Sequence, residues 1–207
     1  MILVPPFKDC FIFVPQMDLY LIIEAISVLL NLVFLFLLIR RSRMCWPFGI
    51  VGSAMGVFLF VAPGAAIKLY SEAILYSYYI WIGIFGWYQW SDKETLSTIK
   101  SWTTKENVVA MLLGFIAFPV LGFVMEKFFD SNSPYLDALT TTFSFIASYM
   151  QAKRVLTSWH FWIVINAISI HLYLSRGLNL YAGLMVVYFV FSIYGLYQWK
   201  HSLVKTS

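Results

Sequence analysis

Seven long apolar runs dominate this chain and leave few folds open to it. Each run extends over 16 to 23 residues, close to the roughly 20 that a helix needs to cross about 30 Å of hydrocarbon. Only 12% of the residues are charged and 61% are hydrophobic, about half the charge of a soluble domain. We therefore predict an all-α polytopic membrane protein, a single transmembrane domain over residues 1–207 embedded in the lipid bilayer. Its seven transmembrane helices are predicted near 17–39, 46–61, 69–90, 107–128, 135–152, 159–174 and 178–199.

The first three runs resemble the last three. EAIS (24–27) and WPFGIV (46–51) recur 113 residues later as DALT and WHFWIV, and GWYQW (86–90) recurs 109 residues later as GLYQW. Chance similarity between apolar helices does not readily explain these matches in one order. Equivalent helices are four spans apart, so the two halves have the same orientation and a solute site is expected between them. The prediction is a parallel 3+1+3 repeat, with a first repeat at 17–90, a linker helix at 107–128 and a second repeat at 135–199.

Polar and aromatic residues form one stripe along the third run, because they are three or four positions apart. The stripe consists of Glu72, Tyr76, Tyr79, Gly83, Trp87 and Trp90. One interpretation is a packed interior face that ends in a tryptophan belt. The other is the wall of a pathway for a flat, polar, cationic solute, held by aromatic rings and matched by the carboxylate. We favour the second, and count Glu72, Tyr76, Tyr79, Trp87 and Trp90 as candidate substrate-binding residues.

Other runs also carry polar faces. Asp137 and Gln151 share a face of the fifth run with several Ser and Thr residues, and Asn166 lies on a polar face of the sixth. Ser and Thr often bond to their own helix or hold membrane helices together. For Asp137, Asn166 and Glu24 we predict a place in the pathway or in a paired network, although both acids could simply lie at the outer interface. Asp137, Gln151, Asn166 and Gln198 complete the candidate substrate-binding set, and no catalytic, metal or cofactor site is predicted.

Basic residues indicate how the chain is oriented. In the predicted topology ten Lys and Arg residues fall on one side of the membrane and four on the other. Since cytoplasmic loops are enriched in basic residues, the N-terminus is predicted outside and the C-terminus in the cytoplasm. The same loops account for the net charge of +4, so no nucleic-acid partner is expected.

Four segments together are similar to those of a known family. They are WPFGIV (46–51), KLYSE (68–72), the two tryptophans of WYQW (87–90), and the stretch 134–169 with PYLDALTTTFSFIAS, KR and WHFWIVINAIS. The chain resembles the Pnu family of bacterial vitamin transporters in these segments. The resemblance implies a 3+1+3 arrangement similar to that of SWEET sugar transporters, commonly as homotrimers in the bacterial inner membrane. It also implies facilitated diffusion of an unphosphorylated vitamin that a cytoplasmic kinase then traps, with Trp87, Trp90 and Asn166 facing the substrate.

The choice of vitamin depends on where the chain departs from the family pattern. The riboside carriers of this family tend to have Gln where Tyr76 stands and Asn where Gly83 stands. More aromatic surface and fewer amide groups suit the cationic thiazolium and flat aminopyrimidine of thiamine slightly better than nicotinamide riboside. A riboflavin or sugar carrier of the same architecture is the alternative, because stacked aromatic rings and amides also bind sugars.

Other functional classes lack their sequence signatures. The chain contains no Walker motif, HExxH or GxSxG, which argues against ATP-driven transport and against an integral membrane enzyme. A retinal-binding protein needs a lysine within its last helix, but Lys200 lies at the very end of the seventh run and no lysine precedes it there.

Overall fold

The computed structural model of the protein describes most of the chain. The described residues are 14–61, 70–91, 99–128, 133–177 and 179–204, and the side chains of 14–21, 60–61, 70–72, 180 and 204 are also left undescribed. Glu72 is therefore placed as backbone only. Four of the basic residues behind the predicted orientation lie outside the described residues, namely Lys8, Lys68, Lys93 and Lys205.

Seven α-helices account for nearly all of the described residues. They are α1 (Val14–Ile39), α2 (Cys45–Val61), α3 (Tyr70–Gln89), α4 (Thr104–Phe128), α5 (Pro134–Ala152), α6 (Ser158–Ser175) and α7 (Asn179–Val204). The described part of the chain contains no β-strand, only an isolated bridge between Lys100 and Val155. The predicted all-α fold with seven helices is confirmed.

Local sequence signals explain where two of the helices begin. Glu106 accepts hydrogen bonds from the N–H and the hydroxyl of Thr103, at 2.7 and 2.8 Å, while Thr103 accepts one from the Glu106 N–H. This reciprocal capping box satisfies donors that the first turn of α4 would otherwise leave unpaired. Helix α5 begins with Pro134, whose fixed φ and missing N–H suit the first helical position.

The helices differ in how long and how apolar they are. Among the described residues three stretches are long and apolar enough to span a bilayer alone, 22–39, 104–128 and 181–203, and α2 is apolar but shorter. Helix α5 instead carries Thr141, Ser144 and Ser148, which are 3–7% exposed. These polar side chains lower the hydropathy of the helix without facing lipid, as expected for the interior of a membrane bundle.

The two halves pack through equivalent contacts. Helix α2 packs on α1 and α3 in the first half, and α6 packs on α5 and α7 in the second. The halves meet where α3 contacts α5 and where α1 contacts α7, while α4 packs against α5. Because α1 corresponds to α5 and α3 to α7, these two contacts are related by a pseudo-twofold axis. This is the predicted parallel 3+1+3 arrangement.

Matching helix ends show how closely the halves correspond. Arg41 and Arg154, 113 residues apart, both have φ of +59°, a left-handed conformation that usually favours glycine. The next N–H donates back across the helix end in each case, from Ser42 to Leu37 O and from Val155 to Met150 O, both at 2.9 Å. A guanidinium nitrogen of Arg154 donates to Gln89 O at 3.1 Å, so the arginine side chain at this position connects the end of α5 to the end of α3. We call this end of the bundle, where α1, α3 and α5 end, the basic end.

Candidate functional site

A cavity of about 140 Å³ lies between the two halves, and every helix except α4 contributes to its wall. No Asp, Glu, Lys or Arg occurs among the lining residues that the structure describes. The wall therefore offers a neutral environment of aromatic rings, amides and hydroxyls. The lining consists of Asn31, Phe34, Leu35, Trp46, Gly49, Ser53, Tyr76, Tyr79, Ile82, Gly83, Ser148, Gln151, Trp159, Trp162, Asn166, Tyr188 and Ser192.

The repeat relates lining residues of the first half to lining residues of the second half. Tyr79 and Tyr188 are separated by the offset of 109 residues, and so are Gly83 and Ser192. Where the second half has a hydroxyl the first half has a glycine, so the wall is not symmetric in its hydrogen-bonding groups. The rings of Tyr76 and Tyr79 add aromatic surface on the α3 side, with centroids 5.8 Å apart.

The polar groups of the second half are already partly ordered. The side-chain amide of Asn166 donates to the Ser192 hydroxyl at 3.1 Å, and that hydroxyl donates to Tyr188 O at 2.7 Å. Asn166 and Gln151 are each 4% exposed. A chain of bonds that begins on the backbone fixes the direction of the amide, so its oxygen is held in place for a donor.

Three indole N–H groups belong to lining residues and have no partner among the described residues. They are those of Trp46, Trp159 and Trp162, and all three nitrogens are buried. A buried donor without an acceptor costs about 1–3 kcal/mol. A bound molecule with carbonyl, hydroxyl or ring-nitrogen acceptors would remove that cost.

At the basic end four tryptophans form a cluster, which we call the tryptophan cluster: Trp46, Trp90, Trp159 and Trp199. They are 0–3% exposed. Trp46 meets Trp90 edge to face at 5.4 Å, and Trp159 meets Trp199 in the same way at 5.4 Å. The rings of Trp90 and Trp199 lie 6.5 Å apart across the pseudo-twofold axis. The cluster closes the bundle at the basic end.

Hydrogen bonds tie the tryptophan cluster to the opposite half. The Trp90 N–H donates to Ala152 O at 2.9 Å, and the Trp199 N–H donates to Ile39 O at 3.2 Å. Each acceptor is the last residue of a helix, where carbonyl groups lack partners within the helix. Each half thus supplies an N–H donor to a carbonyl at a helix end of the other half.

Two glycines make room for the tryptophan cluster. A Cβ added at Gly195 would lie 2.6 Å from ring atoms of Trp159, and one at Gly86 would overlap the ring of Trp46 in the same way. Such distances are far below van der Waals contact. The glycines of GWYQW and GLYQW are therefore required for close approach of α3 and α7 to these rings.

The structure places four of the nine predicted substrate-binding residues in the cavity wall: Tyr76, Tyr79, Gln151 and Asn166. They come from α3, α5 and α6, as expected for a site between the halves.

The remaining candidates lie elsewhere. Neither Trp87 nor Trp90 is among the residues that line the cavity. Trp90 is completely buried in the tryptophan cluster, and the Arg43 guanidinium lies 3.7 Å from the centre of the Trp87 ring. Gln198 borders a separate pocket at the basic end, and the side chain of Glu72 is outside the described part of the structure.

The acidic residues predicted for the pathway are paired at the end of the bundle opposite the basic end. Arg176 donates to both carboxylate oxygens of Asp137 at 2.8 Å, linking the start of α5 to the end of α6. Tyr181 donates to Glu24 at 2.9 Å, linking α7 to α1. The paired network considered for Asp137 and Glu24 is what the structure contains, because a carboxylate near the membrane needs a donor.

Sequence reasoning passed over Trp159 and Trp162 as site residues. They form a second WxxW pair, one helical turn before Asn166, and the repeat equates Trp159 with Trp46. Tyr188 and Ser192 could likewise have been found by adding 109 to Tyr79 and Gly83. The repeat therefore indicates these residues, whereas the stripe on the third run indicates Trp87 and Trp90.

Comparison with known proteins connects this architecture to transport. Residues 21–201 match the family described as nicotinamide mononucleotide transporter. The riboflavin/roseoflavin transporter RibM of Streptomyces davaonensis is 23% identical over 193 residues, covering 85% of this chain and 83% of RibM. The nicotinamide riboside transporter PnuC of Escherichia coli is 21% identical over 209 residues, covering 87% and 85% of the two chains. The crystal structure of the vitamin B3 transporter PnuC superposes with a TM-score of 0.71 at 20% identity, covering 93% of this chain and 88% of that one.

Proposed function

Because this chain belongs to the nicotinamide mononucleotide transporter family, we propose that it carries thiamine across the membrane by facilitated diffusion. Family membership makes the chain a membrane vitamin transporter and not an enzyme, as its sequence predicts. The proposal concerns the vitamin, the mode of transport and the residues that bind it.

The observation that carries the proposal is the neutral, aromatic wall of the cavity. A thiazolium cation is attracted to the faces of tyrosine and tryptophan rings, by about 1–2 kcal/mol where water is excluded. Tyr76 and Tyr79 offer such rings on the α3 side. Trp162, whose indole N–H has no partner among the described residues, also belongs to the cavity wall, and an indole N–H is the kind of donor that the ring nitrogens of an aminopyrimidine accept.

Nicotinamide riboside is the second candidate, and a specific observation favours it. Asn166, Ser192, Gln151 and Ser148 bring amides and hydroxyls to the second half of the wall, and such groups bind ribose hydroxyls. PnuC of Escherichia coli is named for this riboside, and RibM for riboflavin and roseoflavin. Both candidates contain a flat cationic ring, so the same aromatic wall would serve either.

Competition binding to the purified protein separates the candidates. We expect unlabelled thiamine to displace labelled thiamine at lower concentration than nicotinamide riboside, riboflavin or glucose does. If the riboside displaces it at the lower concentration, the protein is a riboside carrier and the choice of thiamine is refuted.

Substitutions on two different faces of α3 test whether the cavity is the binding site. Tyr76→Ala removes a lining ring and is expected to weaken binding by roughly 5- to 30-fold, the equivalent of about 1–2 kcal/mol. Tyr88→Ala is the matched control, since Tyr88 is 72% exposed on the same helix. Equal affinities in the two variants would show that the substrate binds elsewhere.

The mode of transport has its own test. Uptake into empty proteoliposomes is expected to saturate and to stop at equal concentrations inside and outside, without ATP or an ion gradient. Accumulation above the external concentration would refute facilitated diffusion. In cells we expect a cytoplasmic kinase to trap the vitamin, so deleting that kinase should reduce retention of labelled vitamin while initial exchange continues.

We further propose a homotrimer in the bacterial inner membrane, with the N-terminus outside and the basic end in the cytoplasm. The basic end carries Arg40, Arg41, Arg43, Lys153 and Arg154, in accord with the enrichment of basic residues in cytoplasmic loops. A cysteine introduced after Lys200 should be shielded from impermeant thiol reagents in intact cells. Light scattering of the purified protein measures its oligomeric state.

A further inference from the structure

A groove separate from the central cavity lies on the flank of the bundle between α3, α4 and α5. One part has a volume of about 520 Å³ and apolar walls from Val109, Leu113, Phe145 and Ile146, and it also contains Lys105. A second part of about 480 Å³ continues from it at the basic end and contains Lys100 and Lys153. The two parts share Trp102, Glu106 and Tyr149. We call the whole the lateral groove.

We propose that the lateral groove binds a phospholipid with an anionic headgroup. Its apolar part would hold an acyl chain, and the lysines at its mouth would hold the phosphate. Basic pockets between membrane helices are suited to anionic lipids, because the ammonium groups lie at headgroup depth while the helices below are apolar.

The charges at the mouth are complementary to a phosphate. Lys100 and Lys105 are exposed, Lys153 is half-buried, and none of the three forms an ion pair with a described residue. The Lys153 ammonium lies 5.2 Å from the centre of the Phe85 ring and 5.9 Å from that of Tyr149.

The one carboxylate at the mouth is already engaged. Glu106 accepts hydrogen bonds from the N–H and the hydroxyl of Thr103, and its charge can offset only one of the three lysines. The mouth therefore keeps a net positive charge for a phosphate.

The backbone at the mouth is rigidly attached to the second half. The Lys100 N–H donates to Arg154 O and the Leu156 N–H donates to Lys100 O, both at 2.9 Å. This short bridge fixes Lys100 beside the end of α5, where Lys153 lies. A headgroup site on ordered backbone loses less entropy on binding than one on a free loop.

The two halves differ in this feature, which makes the lateral groove distinct from a general basic surface. The equivalent crevice between α7 and α1 contains Arg40 and Arg41 but has a volume of about 280 Å³. Helix α4 packs against α5 and supplies the apolar wall with Val109 and Leu113.

The position of the lateral groove connects a lipid to the seam between the halves. The hydroxyl of Tyr78 donates to Phe145 O at 2.9 Å, and the two rings lie 4.4 Å apart. Tyr78 belongs to the first half, Phe145 to the second, and both line the groove. A lipid bound there would contact both sides of the α3–α5 seam.

Quenching of tryptophan fluorescence by brominated lipids tests the proposal, because Trp102 lies in the groove. The full chain is placed in phosphatidylcholine vesicles with a minor share of either brominated phosphatidylglycerol or brominated phosphatidylcholine. The difference between wild type and Trp102→Phe isolates the signal of Trp102. We expect the anionic lipid to quench this signal several-fold more strongly than the zwitterionic lipid.

Neutralising the lysines gives the decisive comparison. Lys100→Gln with Lys105→Gln, both exposed, should remove most of the several-fold preference for phosphatidylglycerol, because each lysine contributes to the attraction of an anionic headgroup. Adding Lys153→Gln should abolish it. Lys127→Gln with Lys200→Gln is the control of equal charge away from the groove and should retain the preference. Equal quenching by the two lipids in wild type, or a preference that survives the triple variant, would overturn the proposal. The proposal would also be overturned if neither lipid quenched Trp102 and groove residues cross-linked between copies of the chain.

Discussion

Replacing Gly86 with alanine is the sharpest perturbation that the packing offers. The added methyl group would overlap the ring of Trp46, and at the equivalent position Gly195 it would lie 2.6 Å from ring atoms of Trp159. Both rings are nearly completely buried and packed on another indole, so neither can move aside freely. Gly183 in α7 is the matched control, because a Cβ there meets nothing within 4 Å.

The expected magnitude follows from two opposing contributions. Overpacking a close-fitting interior typically costs about 1–3 kcal/mol, while alanine gains about 0.5–1 kcal/mol over glycine within a helix. Because the added Cβ would lie well inside van der Waals contact at both positions, we take the overpacking cost from the upper part of its range, about 2–3 kcal/mol. The balance for Gly86→Ala and Gly195→Ala is then a loss of about 1–2 kcal/mol. For a chain of this size each kcal/mol shifts Tm by about 2–4 °C, so both variants should melt roughly 2–8 °C lower. Gly183→Ala should melt at the wild-type temperature or up to about 4 °C higher.

Thermal unfolding of the three variants in the same detergent measures this difference. The reasoning requires that the melting temperature falls in the two variants at the tryptophan cluster and does not fall in the control. If Gly86→Ala and Gly195→Ala melted together with Gly183→Ala, the close approach of α3 and α7 to the indole rings would not contribute to stability. Since Trp46 and Trp159 also line the cavity, we expect substrate affinity to fall in the first two variants only.

Two further substitutions test contacts outside the cavity. Trp90→Phe leaves Ala152 O without its donor and is expected to cost about 1–3 kcal/mol; unfolding in detergent measures it, and a wild-type melting curve would contradict the role of this bond. Asp137→Asn should destabilise by about 1–2 kcal/mol, because the Arg176 charge then lacks its partner in a partly buried setting, and substrate affinity should not change. Adding Arg176→Gln should restore part of that loss, whereas a loss of binding in Asp137→Asn would instead place the carboxylate in the substrate pathway.

The repeat explains why so much of the fold follows from the sequence. Apolar runs of membrane length identify the helices, and the fixed offsets identify which helices are equivalent. A site between the halves then follows from symmetry, and Tyr76, Tyr79, Gln151 and Asn166 do line the cavity there.

The depth of individual side chains does not follow from the same pattern. Trp87, Trp90 and Tyr76 share a face of α3, but their surroundings differ along the helix. Tyr76 lines the cavity, Trp87 is half-buried against Arg43, and Trp90 lies in the tryptophan cluster. Helical spacing gives direction around an axis and not what lies at each level along it. The left-handed conformation of Arg41 and Arg154 could not be predicted from the sequence either. Nothing local distinguishes an arginine in that conformation from one that continues a helix.

The reciprocal bonds from Trp90 to Ala152 and from Trp199 to Ile39 have a consequence for motion. A rotation of one half against the other as a rigid body strains both bonds together, because each half supplies one donor and one acceptor. Breaking only one of them leaves a carbonyl oxygen and an indole N–H without partners, while the second bond still holds the halves together. Separation of the halves at this end therefore requires both bonds to break.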